Sequence, residues 1–351
     1  MTKYLSILLL LSQLFGQYDQ LFVGSRPLSM GGAFTAVADD ANAITWNPAG
    51  LPGLRRTEFT STYADLYAMG INQSYLGFVR PFSDRIAIGL DWSSIGYDDK
   101  ELAYSENKLN FAVGFQPHKM FSMGLTVKYL MRDMLLNDAS YGKSTGIGYD
   151  TGLLVQPLKN LKLGLGLYDI GGTSVSYKDK TTETILGQAF KLGISYMPIN
   201  GLTIAADYGD RVQIGAEYIL ASRVSFRAGL QQGMSGEEKI MVPSAGLSLK
   251  FKSIIMEYGF ESHPYLNPTH RFSIALQFSP AVVSITKTAI SHNPIFRSLH
   301  RYYESEPFVK VGLKNISDED LPVNVSLFVP TMMDNPHSET VTLPPKSEEE
   351  Y

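Results

Sequence analysis

The chain from Arg56 to Pro280 is dominated by positions that alternate between apolar residues and polar or small ones. The clearest stretches are residues 86–93, 109–116, 190–196, 223–230 and 271–278. A period of two places successive side chains on opposite faces of a strand. The pattern therefore predicts a long all-β region in which each strand has one apolar face and one polar or glycine-rich face.

The number and length of these strands favour a membrane barrel. We count about fourteen strands of roughly 8–12 residues, and a tilted membrane-spanning strand needs ~9–11 residues, whereas strands of soluble sheets have about 5–6. Tight turns, such as the one that begins at Pro81, follow every second strand, and the other connections are often longer. This asymmetry is typical of an antiparallel outer-membrane β-barrel, and the alternative is a large soluble β-protein.

The polar face of the predicted barrel carries charges of both signs. A Lys or Arg that faces lipid at mid-bilayer costs about 2–4 kcal/mol, so we expect these residues in the lumen. The candidate luminal charges are Asp91, Lys128, Arg132, Lys191, Asp207, Arg211, Glu217, Arg223, Arg227, Glu257 and Arg271. A selective ion pore needs rings of one sign, so the mixture favours a salt-bridged, plugged lumen over an open channel.

The segment from Gly24 to Leu54 stands out because it is crowded with glycine and alanine. Such a run packs closely against a neighbouring surface, and Pro48 and Gly50 stop any helix that begins earlier. We expect a compact helical hairpin that enters the barrel from the short-turn end and fills its lumen, where glycines leave room for it. Residues 17–55 are assigned to this hatch and residues 56–280 to the barrel.

The N-terminus predicts export. Residues 1–16 have the features of a secretory signal peptide, with Lys3, an apolar core from Leu5 to Leu11, and an exit near Gly16. No later segment reaches the ~20 apolar residues that a spanning helix needs. The predicted location is the bacterial outer membrane, with extracellular loops and with both termini in the periplasm, and the predicted surroundings include outer-membrane lipid.

Composition and motif searches exclude several function classes. The 351 residues carry a net charge of −4, which gives no electrostatic case for nucleic acid. The absence of cysteine excludes disulfides, thiolate metal sites and Cys nucleophiles. The histidines form no HExxH pair, and Gly142–Thr145 lacks the earlier glycine of a phosphate-binding loop. Asp39 and Asp40 are expected to cap a helix or to pair with a luminal arginine. We predict no enzyme, no catalytic residue, no metal and no cofactor.

The hatch segment also carries a family resemblance. It resembles the N-terminal signature of the PorV/PorQ-type outer-membrane proteins, a branch of the superfamily of FadL-type fatty-acid transporters. The matching residues are Gly24, Arg26, Met30, Gly31, Gly32, Ala33, Ala36, Asp39, Asp40, Asn47, Pro48, Ala49 and Gly50. The resemblance covers about residues 17–280, and it implies a fourteen-stranded barrel whose lumen holds the hatch.

The resemblance implies two functions that the hatch signature does not separate. The first is a component of a type IX-like apparatus for protein secretion and surface attachment, which contacts other apparatus proteins or secreted cargo. The alternative is a passive transporter of hydrophobic small molecules, such as long-chain fatty acids, which uses the hatch and a lateral opening. For this second function the resemblance makes Asn47, Pro48 and Ala49, together with Gly31 and Gly32, candidates for the ligand route. A bulge in one wall strand would mark a lateral opening, but several strands contain glycine.

The last part of the chain departs from a bare barrel. Residues 281–306 are expected to form a linker with a short amphipathic helix after Pro294. Residues 307–351 then show strand-like patterns at 308–314, 322–330 and 339–343 and end in a polar stretch. Three strands in about 45 residues bury too little core for an independent domain. We therefore expect the start of an immunoglobulin-like periplasmic domain that is incomplete, and its presence favours the secretion function.

Overall fold

The computed structural model describes residues 23–98, 102–136, 139–177, 182–234, 240–278, 283–290, 309–317, 320–328 and 336–351. The expected signal peptide, the first residues of the expected hatch and the helix expected after Pro294 lie outside these ranges. The chain divides into two compact units, Met1–Phe278 and Ser279–Tyr351. No helix in the described ranges is long and apolar enough to span a membrane.

Sixteen strands of the first unit form one antiparallel sheet, and fourteen of them close into a barrel. In chain order they are β1 Thr57–Leu66, β2 Ile71–Pro81, β3 Ile86–Asp98, β4 Leu102–His118, β5 Phe121–Leu136, β6 Ala139–Leu158, β7 Leu161–Tyr168, β8 Thr173–Tyr177, β9 Thr182–Leu186, β10 Ala189–Ile199, β11 Leu202–Tyr208, β12 Arg211–Leu220, β13 Val224–Gly233, β14 Met241–Phe251, β15 Ile254–Glu261 and β16 Thr269–Phe278. The predicted all-β, fourteen-stranded architecture is confirmed.

The barrel closes through β1 and β16, which pair from Thr57 opposite Phe278 to Asp65 opposite His270. Strand β7 pairs with β10 rather than with β8, and Tyr168 lies opposite Ala189. Strands β8 and β9 form a hairpin, and β8 joins the far part of β6 at Ser144–Ile147. The hairpin therefore extends the wall without entering the ring. Residues 142–145 lie in β6, within its ladder with β5 and β8.

The outer surface of the barrel is apolar, as the alternation predicts. On β16 the side chains of Phe272, Ile274 and Phe278 are 59%, 52% and 54% exposed, while Arg271 and Ser273 between them are buried. The opposite strands repeat this pattern, with Phe111 and Leu125 exposed and Ala112 and Thr126 buried. A closed barrel with this exterior pairs its backbone polar groups within the ring and offers hydrocarbon side chains to lipid.

The two ends of the barrel differ. At one end the connections between strands are residues 82–85, 119–120, 159–160, 200–201, 221–223 and 252–253, and we call this the short-turn end. At the other, the long-loop end, several expected loops are instead extensions of the ladder. The pair Asp98–Ala103 continues β3 and β4, and the pair Leu136–Ala139 continues β5 and β6.

The described residues of the second unit form five strands in two small sheets. Strands β17 (Val283–Ile290), β18 (Val309–Asn315) and β21 (Glu348–Glu350) form one sheet, and β19 (Leu321–Leu327) pairs with β20 (His337–Leu343) in the other. Strand β17 falls in the segment expected as a linker, so residues 283–290 are sheet instead, because they pair with β18. Asn315 Nδ2 donates to the carbonyl oxygens of Leu343 and Pro344 at 3.0 and 2.9 Å, which links the two sheets.

Candidate functional site: the hatch and the adjacent wall

The hatch lies in the barrel lumen and provides most of the apolar core of the first unit. Its regular elements are short: α1 (Ser25–Ser29), α2 (Ala43–Trp46) and a 3₁₀ helix (Pro48–Gly53). The prediction of a helical hairpin is wrong, since turns make up the rest of the segment. Gly31 and Gly32 adopt φ values of 62° and 80°, which end α1 sharply, and Pro48 begins the 3₁₀ helix.

Glycines of the wall allow the hatch backbone to approach closely. A Cβ atom on Gly114 would lie 2.6 Å from Pro52 Cδ, and one on Gly164 would lie 2.6 Å from the carbonyl oxygen of Thr35. A Cβ on Gly124 would collide with the backbone of Pro48, and one on Gly229 with the backbone of Gly31. The expectation that inner-face glycines make room for the hatch agrees with these contacts.

The candidate route residues lie inside this close contact. Asn47 is fully buried, and its Nδ2 donates to the carbonyl oxygen of Thr35 at 2.7 Å. Asn47 Oδ1 accepts from the backbone N–H of Ala49 at 3.1 Å, which caps the 3₁₀ helix that begins at Pro48. Gly31 N donates to Ser244 Oγ at 3.0 Å. In this conformation these residues hold the hatch together and against the wall.

Polar side chains of the wall fix the hatch at several further points. Asp207 Oδ2 accepts the backbone N–H groups of Phe34 and Thr35 at 3.0 and 2.8 Å. Ser122 Oγ donates to the carbonyl oxygen of Ala49 at 2.7 Å, and Tyr168 OH donates to that of Trp46 at 2.5 Å. These bonds satisfy buried backbone groups that the irregular hatch cannot satisfy within itself.

Arg26 of α1 connects the hatch to the charged wall. Its Nη1 lies 2.6 Å from Asp39 Oδ1 and 2.9 Å from Asp40 Oδ2, and its Nη2 lies 2.7 Å from Glu217 Oε2. Of the two roles expected for Asp39 and Asp40, the structure therefore shows pairing with an arginine, although that arginine belongs to the hatch. Glu217 also accepts from Arg227 Nε at 2.6 Å.

The other candidate charges are divided among several partners around the lumen. Asp91 accepts from Thr45 and Asn110, Arg132 pairs with Glu106, Lys191 lies over the Trp46 ring, Arg211 pairs with Asp210, and Glu257 pairs with Arg227. Among the described residues, Arg271 Nε and Nη1 have no hydrogen-bond partner. The charges thus form separate ion pairs and polar contacts rather than one ring of a single sign.

Arg223 does not lie deep in the lumen as its alternation predicts. It belongs to the turn at residues 221–223, just before β13 begins, and its side chain is exposed. It contributes to the rim of a cavity at the short-turn end. The period-two pattern fails here because β13 begins one residue later than the pattern implies.

One cluster of buried charges lies beside an interruption of the wall. Lys128 Nζ lies 2.7 Å from Asp150 Oδ1 and 2.5 Å from Asp169 Oδ1. Asp169 Oδ1 also accepts from Thr173 Oγ1, and Asp150 Oδ1 accepts from the Asp169 backbone N–H at 2.8 Å. Of these residues, only Lys128 is among the candidates chosen from sequence. The alternation of β6 could have identified Asp150, but Asp169 lies on the lipid-facing parity of β7.

The interruption lies between β7 and β8. Leu167 pairs with Thr151, and Ser174 pairs with Ile147. Between these two pairs the chain advances by seven residues on the side of β7 and β8 but by only four on β6, so three residues are extra. This bulge, residues 169–172, has positive φ at Asp169 (49°) and at both glycines that end it. It turns Asp169 into the lumen directly after the inward-facing Tyr168. This is the wall bulge that the sequence could not locate.

Two cavities lie on opposite sides of the hatch. The one nearer the long-loop end has a volume of about 40 Å³ and is lined by Val23, Thr45, Lys128, Asp150 and Leu186, among others. The one at the short-turn end has about 350 Å³ and is lined mainly by charged residues of the Arg26–Glu217 region. Val23, the first described residue, therefore lies on the long-loop side, whereas the hatch was expected to enter from the short-turn end.

The described residues contain no group of three or more His, Asp or Glu side chains placed to hold a metal ion. The candidate site is instead the hatch together with the adjacent wall. A fourteen-stranded membrane barrel holds a tightly packed hatch, and a bulged wall segment lies beside a small polar cavity. These features define the class of protein as a hatch-plugged transmembrane barrel.

Comparisons with solved structures show that several channels and transporters have a similar fold. The CymD monoaromatic hydrocarbon channel is similar with a TM-score of 0.59 and 15% identity, over 75% of this chain and 99% of that one. The Ralstonia pickettii toluene transporter TbuX has a TM-score of 0.53 and 14% identity, over 73% and 98%. A Pseudomonas aeruginosa FadL homologue has a TM-score of 0.54 and 12% identity, over 75% of this chain and 100% of that one. No protein-family model and no curated protein sequence matches the chain.

Proposed function

We propose that the protein is a non-enzymatic, passive transporter of hydrophobic small molecules across the bacterial outer membrane. The observation that carries this proposal is the position of the wall bulge. Lys128 and Asp150 line the cavity on the long-loop side of the hatch, and the same two side chains hold Asp169 of the bulge. A small rearrangement there joins the cavity to the surrounding lipid.

The bulge is weakly hydrogen-bonded to the neighbouring parts of the wall on both sides. Residues 148–150 of β6 face the bulge, and Ile170 N donates to the carbonyl oxygen of Tyr149 at 2.9 Å. On the other side, residues 187 and 188 separate β9 from β10, and Gly171 N donates to Gln188 Oε1 at 3.1 Å. A lateral route here lets an apolar solute pass into the membrane without crossing the tightly packed hatch.

Two observations support the proposed substrate class: the names of the structures with a similar fold and the destination of such a route. CymD is described as a monoaromatic hydrocarbon channel and TbuX as a toluene transporter. A lateral exit delivers its solute to lipid, which favours apolar molecules such as monoaromatic hydrocarbons or long-chain fatty acids over polar ones. Passive movement of this kind uses no cofactor.

We place the long-loop end outside the cell and the short-turn end in the periplasm. Barrels of the outer membrane carry short periplasmic turns and longer extracellular loops. The barrel begins at Thr57 and ends at Phe278, both at the short-turn end. The second unit, which follows Phe278, is therefore periplasmic in this orientation. Val23 lies on the long-loop side of the hatch, so we do not extend the periplasmic assignment to the N-terminus.

The test is uptake by a host that lacks its own channel for hydrophobic compounds. The full chain is expected to increase the initial uptake of radiolabelled toluene or oleate. Deletion of residues 169–171 removes the three extra residues, so β7 runs into β8 without a bulge, and uptake is expected to return to the host level. A matched deletion of residues 265–267, in the connection between β15 and β16, is expected to retain uptake.

Folding of each variant is checked by heat-dependent migration in gels. If the folded full chain does not increase uptake of either compound, the proposal is wrong. If the deletion of residues 169–171 folds and transports normally, the lateral route is wrong.

A second candidate function is the PorV/PorQ-type role in protein secretion and surface attachment. The second unit favours it, because its five strands provide a folded surface on the proposed periplasmic side, which passive uptake does not need. Its partners would be apparatus proteins or secreted cargo. Deleting the gene and comparing the surface proteome separates the two functions: loss of surface-attached proteins with unchanged uptake of hydrophobic compounds supports secretion.

A further inference from the structure

The short-turn end of the barrel carries a collar of basic side chains. Its members are Arg80, Arg85, Lys119, Lys159 and Lys252, and all five are exposed. Asp84 is the one carboxylate in the six short turns, every residue of which the structure describes. Asp84 lies 3.2 Å from Arg55 Nη1, so its charge is already matched by an arginine outside the collar. The positive charge of the collar is therefore unbalanced.

Large apolar side chains accompany these basic residues. Phe82, Leu158, Ile199 and Phe251 are 63%, 59%, 61% and 67% exposed, among the most exposed apolar side chains of the barrel. The guanidinium of Arg80 lies 5.6 Å from the centre of the Phe82 ring, and Lys252 Nζ lies 5.8 Å from that of Phe251. A basic group beside an exposed aromatic ring is the arrangement by which side chains anchor at a membrane interface, with the ring in the apolar layer and the charge at the headgroups.

The part of the long-loop end that the structure describes lacks this one-sided charge. Its described residues include Asp65, Asp98, Asp133 and Asp210 together with bases such as Lys143, which lies 2.9 Å from Asp133. Acids and bases are thus mixed there. The two ends of the barrel consequently present different electrostatic surfaces to the two leaflets.

We propose that the basic collar binds anionic phospholipid headgroups of the leaflet at the short-turn end. The phosphate group is the ligand, and exposed Lys and Arg side chains near a membrane surface attract anionic lipid electrostatically. A lipid surface fits better than an acidic protein, because the collar is spread over four turns and directly continues the lipid-facing band of the barrel. The exposed apolar side chains between the charges would enter the acyl region of the same leaflet.

The test measures which lipids remain bound to the full chain. The protein is reconstituted into nanodiscs that contain equal amounts of phosphatidylglycerol and phosphatidylcholine, extracted into mild detergent, and its bound lipids are quantified by mass spectrometry. The wild type is expected to retain phosphatidylglycerol preferentially. The variant R85Q/K119Q/K159Q/K252Q is expected to retain phosphatidylglycerol and phosphatidylcholine about equally.

The matched control removes the same number of charges elsewhere. The variant K143Q/K287Q/K310Q/K314Q changes four exposed lysines outside the collar and is expected to keep the wild-type preference. Raising the salt concentration from about 50 mM to about 500 mM is expected to weaken the wild-type preference, because screening shortens the range of the attraction. This salt titration uses the wild type alone, so its result does not depend on whether a variant folds.

Two results overturn the proposal. One is equal retention of the two lipids by the wild type, which would leave the collar as a surface for an acidic protein. The other is an equal loss of preference in the collar variant and the control variant, which would assign the attraction to net charge alone.

Discussion

Lys128 of β5 and Asp169 of the wall bulge form a buried ion pair, with Nζ 2.5 Å from Oδ1. The lysine side chain is 6% exposed and the aspartate side chain is fully buried. Asp169 reaches this position because the bulge breaks the inward–outward alternation of β7. The pair therefore connects the irregular part of the wall to the regular strand on the far side of β6.

Replacing this lysine is expected to destabilise the barrel. Lys128→Met leaves Asp150 and Asp169 buried without their cation, and breaking a buried pair in this way costs about 3–5 kcal/mol. The free energy of unfolding is measured by urea titration in lipid vesicles, with the fluorescence of Trp46 and Trp92 as the signal. The triple variant K128M/D150N/D169N is expected to recover part of the loss.

The matched control for this prediction is Lys143→Met. Lys143 pairs with Asp133 on the same hairpin, but its side chain is 64% exposed. Exposed pairs contribute about 0–1 kcal/mol, so little change is expected. Equal effects of the two substitutions would contradict a specific role for the buried cluster.

A side chain at Gly124 is expected to displace the hatch. The Cβ of Gly124→Val would collide with the backbone of Pro48 and Ala49, which cannot move without shifting the 3₁₀ helix. The barrel ladder itself tolerates valine. We therefore expect a folded barrel with a raised single-channel conductance in planar bilayers. Gly53→Ala is the control, since nothing lies within 4 Å of a Cβ at Gly53. A folded Gly124→Val barrel with unchanged conductance would show that the hatch is not the seal.

Much of this fold was predictable because lipid and lumen impose opposite chemistry on alternate residues. The stretch 271–278 illustrates this, since Arg271 and Ser273 could face only the lumen and Phe272 and Ile274 only the lipid. The glycines opposite the hatch were predictable for the same reason, because two backbones approach closely only where side chains are absent.

The candidate site was less predictable because it depends on departures from that alternation. Asp169 has the parity of a lipid-facing residue, and only the three extra residues of the bulge turn it inward. The short helices of the hatch are likewise held by wall groups such as Asp207 and Tyr168, which are distant in sequence. Local pattern carries no information about such contacts.

A charge on the outer surface is expected to destabilise the barrel according to its depth. Leu125 is the fifth residue of β5, within the apolar outer surface, and is 50% exposed, whereas Ile199 is the last residue of β10, at the short-turn end. Leu125→Arg is expected to lower the free energy of unfolding in vesicles by about 2–4 kcal/mol, and Ile199→Arg by about 0–1 kcal/mol. Similar costs at both positions would argue against a bilayer centred on Leu125.

A disulfide across the hatch would test whether the hatch moves during transport. Ser25 Oγ of the hatch lies 2.7 Å from Ser273 Oγ of β16, and the chain has no cysteine of its own. The pair S25C/S273C is therefore positioned to form a disulfide that fixes α1 to the wall. Because the proposed route leaves through the wall bulge above the hatch, the oxidised variant is expected to take up hydrophobic compounds as fast as the reduced one.

The control places the same chemistry where no transport role is expected. Ser326 Oγ and Ser338 Oγ, on β19 and β20 of the second unit, are also 2.7 Å apart, so S326C/S338C reports the effect of oxidation itself. If oxidation stops uptake in S25C/S273C but not in S326C/S338C, the hatch must move, and the route passes through the lumen rather than through the wall. Equal uptake in both oxidised variants would assign the hatch the role of a fixed plug, with the bulge at residues 169–172 as the moving part.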